Sequence, residues 1–381
     1  VTDRPLRFET RAIHEGGNPT DPTGAVIPPI CVTSTFAHGN SLGYDYTRSG
    51  NPNFRQLDAI VAAAEGAEFC TSFGSGVSAI TAVVSSLQSG DTILAEENLY
   101  GCTYRLFEQV FKKFGLELVY ADLTAEEGIG KISEIRPRLV WLESPTNPLL
   151  KILDLEKIAA AAADAGAETL VDNTFASSVL QQPLSYGITL SLLSTTKYTN
   201  GHSDALGGAV CTDDAGWHER MVFAQKALGL QPSPFDAWLT ARGAKTQVLR
   251  MERHSETALK LAAWLEEQPG IRWVRYPFLA SHPQTDLARR QMKGGSGIIT
   301  LEVDGGLEQT LTFCQRLELF TMAESLGGIE SLVCHPASMT HASVPKAVRE
   351  AVGISDSLIR LSVGIEYVED LREDLKSALF P

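Results

Sequence analysis

The run LLSTTKYTNGHSD, Leu192 to Asp204, places Lys197 among hydroxyls directly after an apolar segment. Such a lysine is either a solvated loop residue or an amine put to chemical use. Desolvated and beside polar or positive groups, it loses basicity and can add to an aldehyde. Asp172 in LVDNTFA also follows an apolar run, at the carboxyl end of a strand where parallel sheets gather their ligands. An aspartate there equally caps the following turn, and its functional reading needs a cationic partner. In FGSGVSA, Gly74, Gly76 and Ala79 fit G-x-G-x-x-G/A between a strand and a helix, and Glu96 follows about 20 residues on. Small residues at a helix N-terminus let backbone N–H groups approach an anion. The stretch reads as a phosphate cradle or, more narrowly, as the fingerprint of a dinucleotide-binding oxidoreductase.

One ligand would satisfy all three features. Pyridoxal 5'-phosphate offers an aldehyde to Lys197, a pyridinium nitrogen to Asp172, and a phosphate to Gly76, Ser194 and Thr196. A dinucleotide accounts only for the glycines. There is no GxxxxGK[ST] motif to make Lys197 a nucleotide-binding lysine and no GxSxG to supply a hydrolase serine. His202 and Asp204 raise the question of a metal, yet no second histidine stands at ligand spacing, so NGHSD reads as a turn and no metal is expected. Cys31, Cys70, Cys102, Cys211, Cys314 and Cys334 are scattered without CxxC spacing, which points to free thiols in a reducing, cytoplasmic setting.

These residues need a scaffold, and the chain is long enough for two domains at 381 residues. Its 32 basic against 46 acidic residues give a net charge of −14, which argues against nucleic acid as a partner. The charged stretch VTDRPLRFETRAIHEGG lacks the apolar core of a secretory signal, and the longest apolar runs are too short to span a bilayer, so a soluble protein is expected. Residues 1–50 are rich in Pro, Gly and Thr and read as an extended arm. Between Arg55 and Gly243 strand-like runs (EFCTSF, TILAE, ELVYAD, RLVWLESP, TLVDNTFA, TLSLLSTTKY, GGAVCTD) alternate with helical patterns over Phe54 to Ala64, Gly76 to Leu87, Thr103 to Phe114 and Leu155 to Gly166. That alternation predicts a mainly parallel sheet with helices on both faces. Val77, Ile80, Val83, Val84 and Leu87 form one apolar stripe, and Tyr104, Phe107, Val110, Phe111 and Phe114 another; both are expected in the core. A long helical pattern ending at Gln268-Pro269-Gly270 leads to a smaller unit with strands GIITLEVD, LFTMAES and SLIRLSVGIE and a last helix over Tyr367 to Leu379. The expected division is an arm at 1–50, a cofactor-binding domain at 51–245 and a small domain at 246–381.

The segments YDYTRSGNP, LYGCTYRLF, ESPTNP, VDNTFA, STTKYTNGHSD, PSPFDAWLTARGAKT, AESLGGIESLVCHPASMTHA and LIRLSVGIE resemble, in order along the chain, the Cys/Met-metabolism family of pyridoxal-phosphate enzymes. The family includes cystathionine γ-synthase, γ-lyase and β-lyase, methionine γ-lyase and the O-acylhomoserine sulfhydrylases. The resemblance implies fold type I, aspartate-aminotransferase-like, with a mainly parallel seven-stranded sheet and a smaller C-terminal α/β domain. It implies that Lys197 bonds to the cofactor, Asp172 meets its ring nitrogen, and Tyr100 stacks on it and assists proton transfer. Gly76 and Val77 amides with Ser194 and Thr196 would hold its phosphate, and Tyr46 and Arg48 would reach the phosphate of a neighbouring subunit in a homotetramer. Arg360 would clamp the substrate α-carboxylate with help from Asn147 and Ser325. Arg105 and Glu324 match the cystathionine γ-enzymes, the former suited to a distal carboxylate, and Asp45 is found in γ-synthases. Cys102 departs from that pattern, standing where methionine γ-lyase has cysteine, and Asn53 stands where threonine is usual. The expected activity is therefore cystathionine γ-lyase or γ-synthase, with a methionine γ-lyase-like enzyme, including one in a specialised pathway, as the alternative.

Overall fold

Seven strands form the larger sheet of the computed structural model: β1 (Phe69–Phe73), β2 (Thr92–Glu96), β3 (Glu117–Ala121), β4 (Leu139–Glu143), β5 (Glu168–Asp172), β6 (Leu190–Leu193) and β7 (Gly208–Thr212). The structure describes residues 6–16, 25–342 and 344–380. The sheet order is β1-β7-β6-β5-β4-β2-β3, and all neighbours are parallel except β7, which runs antiparallel to β1 and β6. The expected strands all form. Continuous apolar runs such as LVWLE on β4 arise because both faces are covered. Alternate residues then serve two cores: Leu139 and Trp141 pack with Ile80, Val83 and Trp217 on one face, while Val140 and Leu142 pack with Ile158 and Ala162 on the other.

Helix starts are set by side-chain caps that satisfy orphan N–H groups. Asn51 accepts from Asn53 N before helix Pro52–Glu65, Ser75 from Ser78 N before Gly76–Val84, and Asp154 from Lys157 N before Leu155–Ala165. The helix expected from Thr103 to Phe114 is instead Gly101–Gln109 followed by a tight turn, Phe111–Phe114, closed by Gly115 at φ +85°. The break at Val110 rotates the stripe out of phase, so Val110 and Phe114 are exposed while Phe107 and Phe111 stay buried. Val77 is likewise exposed, at the opening turn of its helix.

The second sheet contains β8 (Ile271–Arg275), β9 (Ile298–Val303), β10 (Thr321–Met322), β11 (Leu332–Cys334) and β12 (Leu358–Ser362) in the order β10-β11-β12-β9-β8. Its central strands are antiparallel, and helix Val368–Leu379 covers it. Sequence periodicity missed β8, whose IRWVR alternates around a register shift, and β11, which is only three residues long. Helix Gln247–Glu266 spans two cores: Met251 packs under the large sheet's loops, and Leu261 and Leu265 pack on the small sheet. The arm is not wholly extended, because Phe8–His14 forms a helix with Ala12 buried. Residues 1–5 and 17–24 of that expected arm lie outside the described residues.

Candidate active site

A cavity of about 330 Å³ opens at the carboxyl ends of β4, β5 and β6 and is bounded on the far side by β12 and the loop after β10. Its lining brings together Gly76, Val77, Tyr100, Asn147, Asp172, Ser194, Thr196, Lys197, Glu324, Ser325 and Arg360. This is the topological position at which parallel sheets bind ligands, because strand ends there present loops and helix N-termini.

Lys197 lies four residues past the end of β6, and its Nζ donates to Ser325 Oγ at 2.7 Å. Burial, and then the nearby Arg360 guanidinium, lower its pKa to about 8; Glu324 and Cys102 oppose this without cancelling it. The amine is thus held close to its neutral, nucleophilic form near physiological pH. Ser325 adopts φ +98°, a costly conformation for a non-glycine residue, and it turns its carbonyl toward Arg360 Nη2 at 3.0 Å.

Arg360 is central in β12 and only 2% exposed. Nη1 donates to Asn147 Oδ1 at 3.0 Å, and its Nε has no partner among the described residues. The guanidinium carbon sits 5.9 Å from the centre of the Phe175 ring. A buried guanidinium with spare donors facing a cavity is suited to a carboxylate, which it can hold through two parallel hydrogen bonds.

Asp172 ends β5, accepts Thr174 N at 3.1 Å and has no ion pair among the described residues. Burial raises its pKa to about 6, opposed by Thr174. A cationic ligand atom beside it would restore the charged form. Tyr100 immediately precedes helix Gly101–Gln109; burial first, then Cys102 and Glu324, push its phenol above the ordinary range.

The glycine motif forms a close approach. A Cβ on Gly76 would lie 2.9 Å from Ser194 Cβ, so only glycine lets the helix start meet the β6 loop. Gly76 and Val77 belong to the opening turn, whose N–H groups lack intrahelical acceptors. Thr196 Oγ1 accepts Gly207 N at 2.9 Å, and Thr174 Oγ1 accepts Ser194 N at 2.8 Å, which ties the β5 and β6 loops together. Lysine, carboxylate and anion cradle converge as pyridoxal phosphate requires, and the residues present fit that group.

Five expected residues, Asp45, Tyr46, Arg48, Cys102 and Arg105, lie off the lining. Arg105 is exposed, and its Nη2 donates to Cys102 Sγ at 2.8 Å. Tyr46 is 46% exposed, Arg48 donates to Lys226 O at 2.8 Å, and Asp45 is exposed beside them in the same segment. Sequence reasoning missed Glu143, Thr174, Phe175 and Thr340 in the wall. Glu143 carried a usable signal, since it ends an apolar strand just as Asp172 does. His202 and Asp204 form a turn around Asn200, as expected. The dinucleotide alternative fails on geometry: β1 is an edge strand with an antiparallel neighbour, and Glu96 is turned away to Asn98 N, Leu123 N and Lys151.

A seven-stranded α/β sheet with this cavity at its carboxyl edge and a small sheet closing the far wall has the architecture of a fold type I pyridoxal-phosphate enzyme. A profile of the Cys/Met metabolism PLP-dependent enzymes matches residues 9–380. The chain is 45% identical to the cystathionine beta-lyase of Coxiella burnetii over 377 residues, covering 98% of this chain and 97% of that one. It is 46% identical to the cystathionine gamma-lyase of Bos taurus, covering 98% and 93%. The solved cystathionine gamma synthase from Xanthomonas oryzae pv. oryzae, in complex with aminoacrylate and cysteine, superposes with a TM-score of 0.96 at 45% identity, covering 99% and 98%. The chain belongs to the Cys/Met metabolism family of pyridoxal-phosphate-dependent enzymes. The activity class foreseen from the motifs agrees with these relatives.

Proposed function

We propose that the protein catalyses γ-elimination or γ-replacement on sulfur amino acids or activated homoserine, as a cystathionine γ-lyase or γ-synthase. The observation that carries this reading is the pairing, in one cavity, of a lysine amine lowered to about 8 with a buried arginine that has an unused donor. Bound pyridoxal phosphate supplies an electron sink for charge developing at the substrate Cα. Asp172 would face its ring nitrogen, the Gly76 and Val77 amides with Ser194 and Thr196 its phosphate, and Tyr100 its ring. Arg360, oriented by Asn147 and Ser325, would hold the α-carboxylate of the substrate. Lys197 Nζ would remove the Cα proton and then exchange protons between Cα and Cβ, and Tyr100 would assist the departing group at Cγ. Ser325 keeps the amine aimed while it waits.

Glu324, Arg105 and Cys102 would face the distal end of the substrate. The Cys102 to Arg105 contact favours a second reading, a methionine γ-lyase-like enzyme, because it engages the guanidinium with a side chain of the same helix. We further propose that Tyr46, Arg48 and Asp45, exposed in one chain, complete the site of a neighbouring copy in a cytoplasmic homotetramer built from an arm at 1–50 and domains at 51–245 and 246–381. No described helix is long and apolar enough to cross a membrane.

The test is a visible absorbance spectrum of the purified protein, followed by cystathionine, methionine and O-succinylhomoserine with detection of 2-oxobutyrate. A cofactor band that responds to amino acids is expected, with cystathionine or the activated homoserine turned over faster than methionine. A protein with no band after addition of pyridoxal phosphate would overturn the reading.

A further inference from the structure

Glu143 lies in the cavity wall at the end of β4, is 4% exposed, and has no cation paired with it among the described residues. One carboxylate oxygen, Oε2, accepts the backbone N–H of Tyr100 at 2.9 Å, and the other, Oε1, accepts that of Asn147 at 2.8 Å. These two amides belong to residues with different proposed roles. Tyr100 starts the helix that carries the phenol, Cys102 and Arg105. Asn147 carries the Oδ1 that receives Arg360 Nη1.

We propose that Glu143 is a positioning residue for the reaction: by holding Tyr100 with one oxygen and Asn147 with the other, it fixes the phenol ring and the Arg360 guanidinium relative to each other. The inference rests on the function proposed above. Two N–H donors facing its two oxygens favour the ionised carboxylate, and an amide in its place would set an NH2 group against one of those donors. Burial, and then Asp172 at the same register on β5, outweigh the two amides and raise its pKa well above the ordinary carboxylate value. Loss of the Asn147 anchor would leave the Arg360 guanidinium with the Ser325 carbonyl as its one hydrogen-bond acceptor among the described residues.

The test compares the holoenzyme with Glu143→Gln, which keeps the volume but turns one acceptor into a donor, and Glu143→Asp, which keeps both acceptors at shorter reach. Steady-state kinetics with cystathionine are read beside spectral titrations with L-alanine and L-alaninamide, two amines that differ in the free α-carboxylate. Glu143→Gln should retain the cofactor band, raise KM by about 10- to 100-fold, and reduce the preference for alanine over alaninamide by a similar factor, with partial recovery in Glu143→Asp. A KM and a preference both within about twofold of the parent would overturn the proposal. So would equal weakening of both amines, which a purely structural role predicts. If Glu143→Gln does not fold, Glu143→Asp carries the same comparison, and an unchanged preference in that variant overturns the idea. Failure of the underlying reading looks different: the unsubstituted enzyme itself would show no cofactor band or no response to amino acids, and both claims would fall.

Discussion

Two lysines stand at the carboxyl edge of the same sheet and meet opposite fates. Lys151 reaches into a nest of carboxylates, with Nζ 3.2 Å from Glu97, 3.5 Å from Asp122 and 3.8 Å from Glu96. Burial works against its charge, but Glu96, Asp122 and Glu97 outweigh burial and hold its pKa above the ordinary value. Lys197 meets a hydroxyl and an arginine instead, and its pKa falls to about 8. The difference lies in what answers burial: carboxylates at the end of β2 and in the loop after β3 overcome it and make one a structural cation, whereas at Lys197 burial dominates and Arg360 from the small sheet adds to it, leaving a reactive amine.

The sharpest way to break the comparison is to remove each amine in turn. Lys197→Ala should lower turnover by at least about 10³-fold and abolish the amino-acid-responsive visible band, because no other described amine lines the cavity. Its thermal midpoint should stay near that of the parent, since the amine contributes one described hydrogen bond. Retained turnover measured by 2-oxobutyrate release would contradict the role.

Lys151→Ala should do the reverse, sparing turnover and costing stability. Removing the ammonium leaves Glu96, which has no exposed surface, with two backbone N–H donors but no counter-charge. The loss should be about 1–3 kcal/mol, less than for a fully buried pair because the Lys151 side chain is 22% exposed. Its sign with pH is fixed by Glu96, whose pKa burial raises from 4.5 to about 7 even with Lys151 present. Without Lys151 the folded chain holds that proton to still higher pH, so it binds more protons than the unfolded chain and stability falls as pH rises. Urea unfolding should therefore show a larger loss at pH 8 than at pH 5; a uniform loss would argue against an electrostatic cause.

The sequence made Lys197 visible and Lys151 invisible for a physical reason. Lys197, Asp172 and Gly76 each sit at a boundary between an apolar run and a polar turn, and strand ends in a parallel sheet converge on one edge. Periodicity therefore implied the cavity. Roles that depend on distant partners did not show in this way. Arg360 lies in the middle of an ordinary strand, and its function was read only through resemblance. Glu143 went unread because its two partners are backbone amides, 43 positions away in one case and four in the other. The exposed Val110 and Phe114 show the opposite error, in which a correct apolar spacing was extended through a break that only backbone geometry reveals.

A finer test titrates the two amines in the cofactor-free protein. The rate at which an amine-reactive reagent modifies Lys197 should rise with a midpoint near about 8, while that of Lys151 should rise only above the ordinary lysine value of 10.5. A depressed lysine pKa means that the unfolded chain keeps a proton the folded chain has lost, so this group's contribution makes stability rise between about 8 and 10.5. Lys197→Ala should remove that rise, and Arg360→Gln should shift the labelling midpoint upward. A midpoint unchanged by Arg360→Gln would assign the depression to burial alone.

The smallest effect should come from trimming the carboxylate nest rather than emptying it. Glu97 is the nearest carboxylate to Lys151, yet its side chain is 32% exposed, and water screens what geometry favours. With Glu96 and Asp122 still within 4 Å of the ammonium, Glu97→Gln removes a replaceable part of the field. It should cost no more than about 0.5 kcal/mol in urea unfolding and leave turnover unchanged. The value of this variant lies in its contrast with Lys151→Ala: a loss of equal size would mean that the nest acts through one close ion pair, whereas a small one means that buried Glu96 sets the need for a cation and the outer carboxylates only tune it.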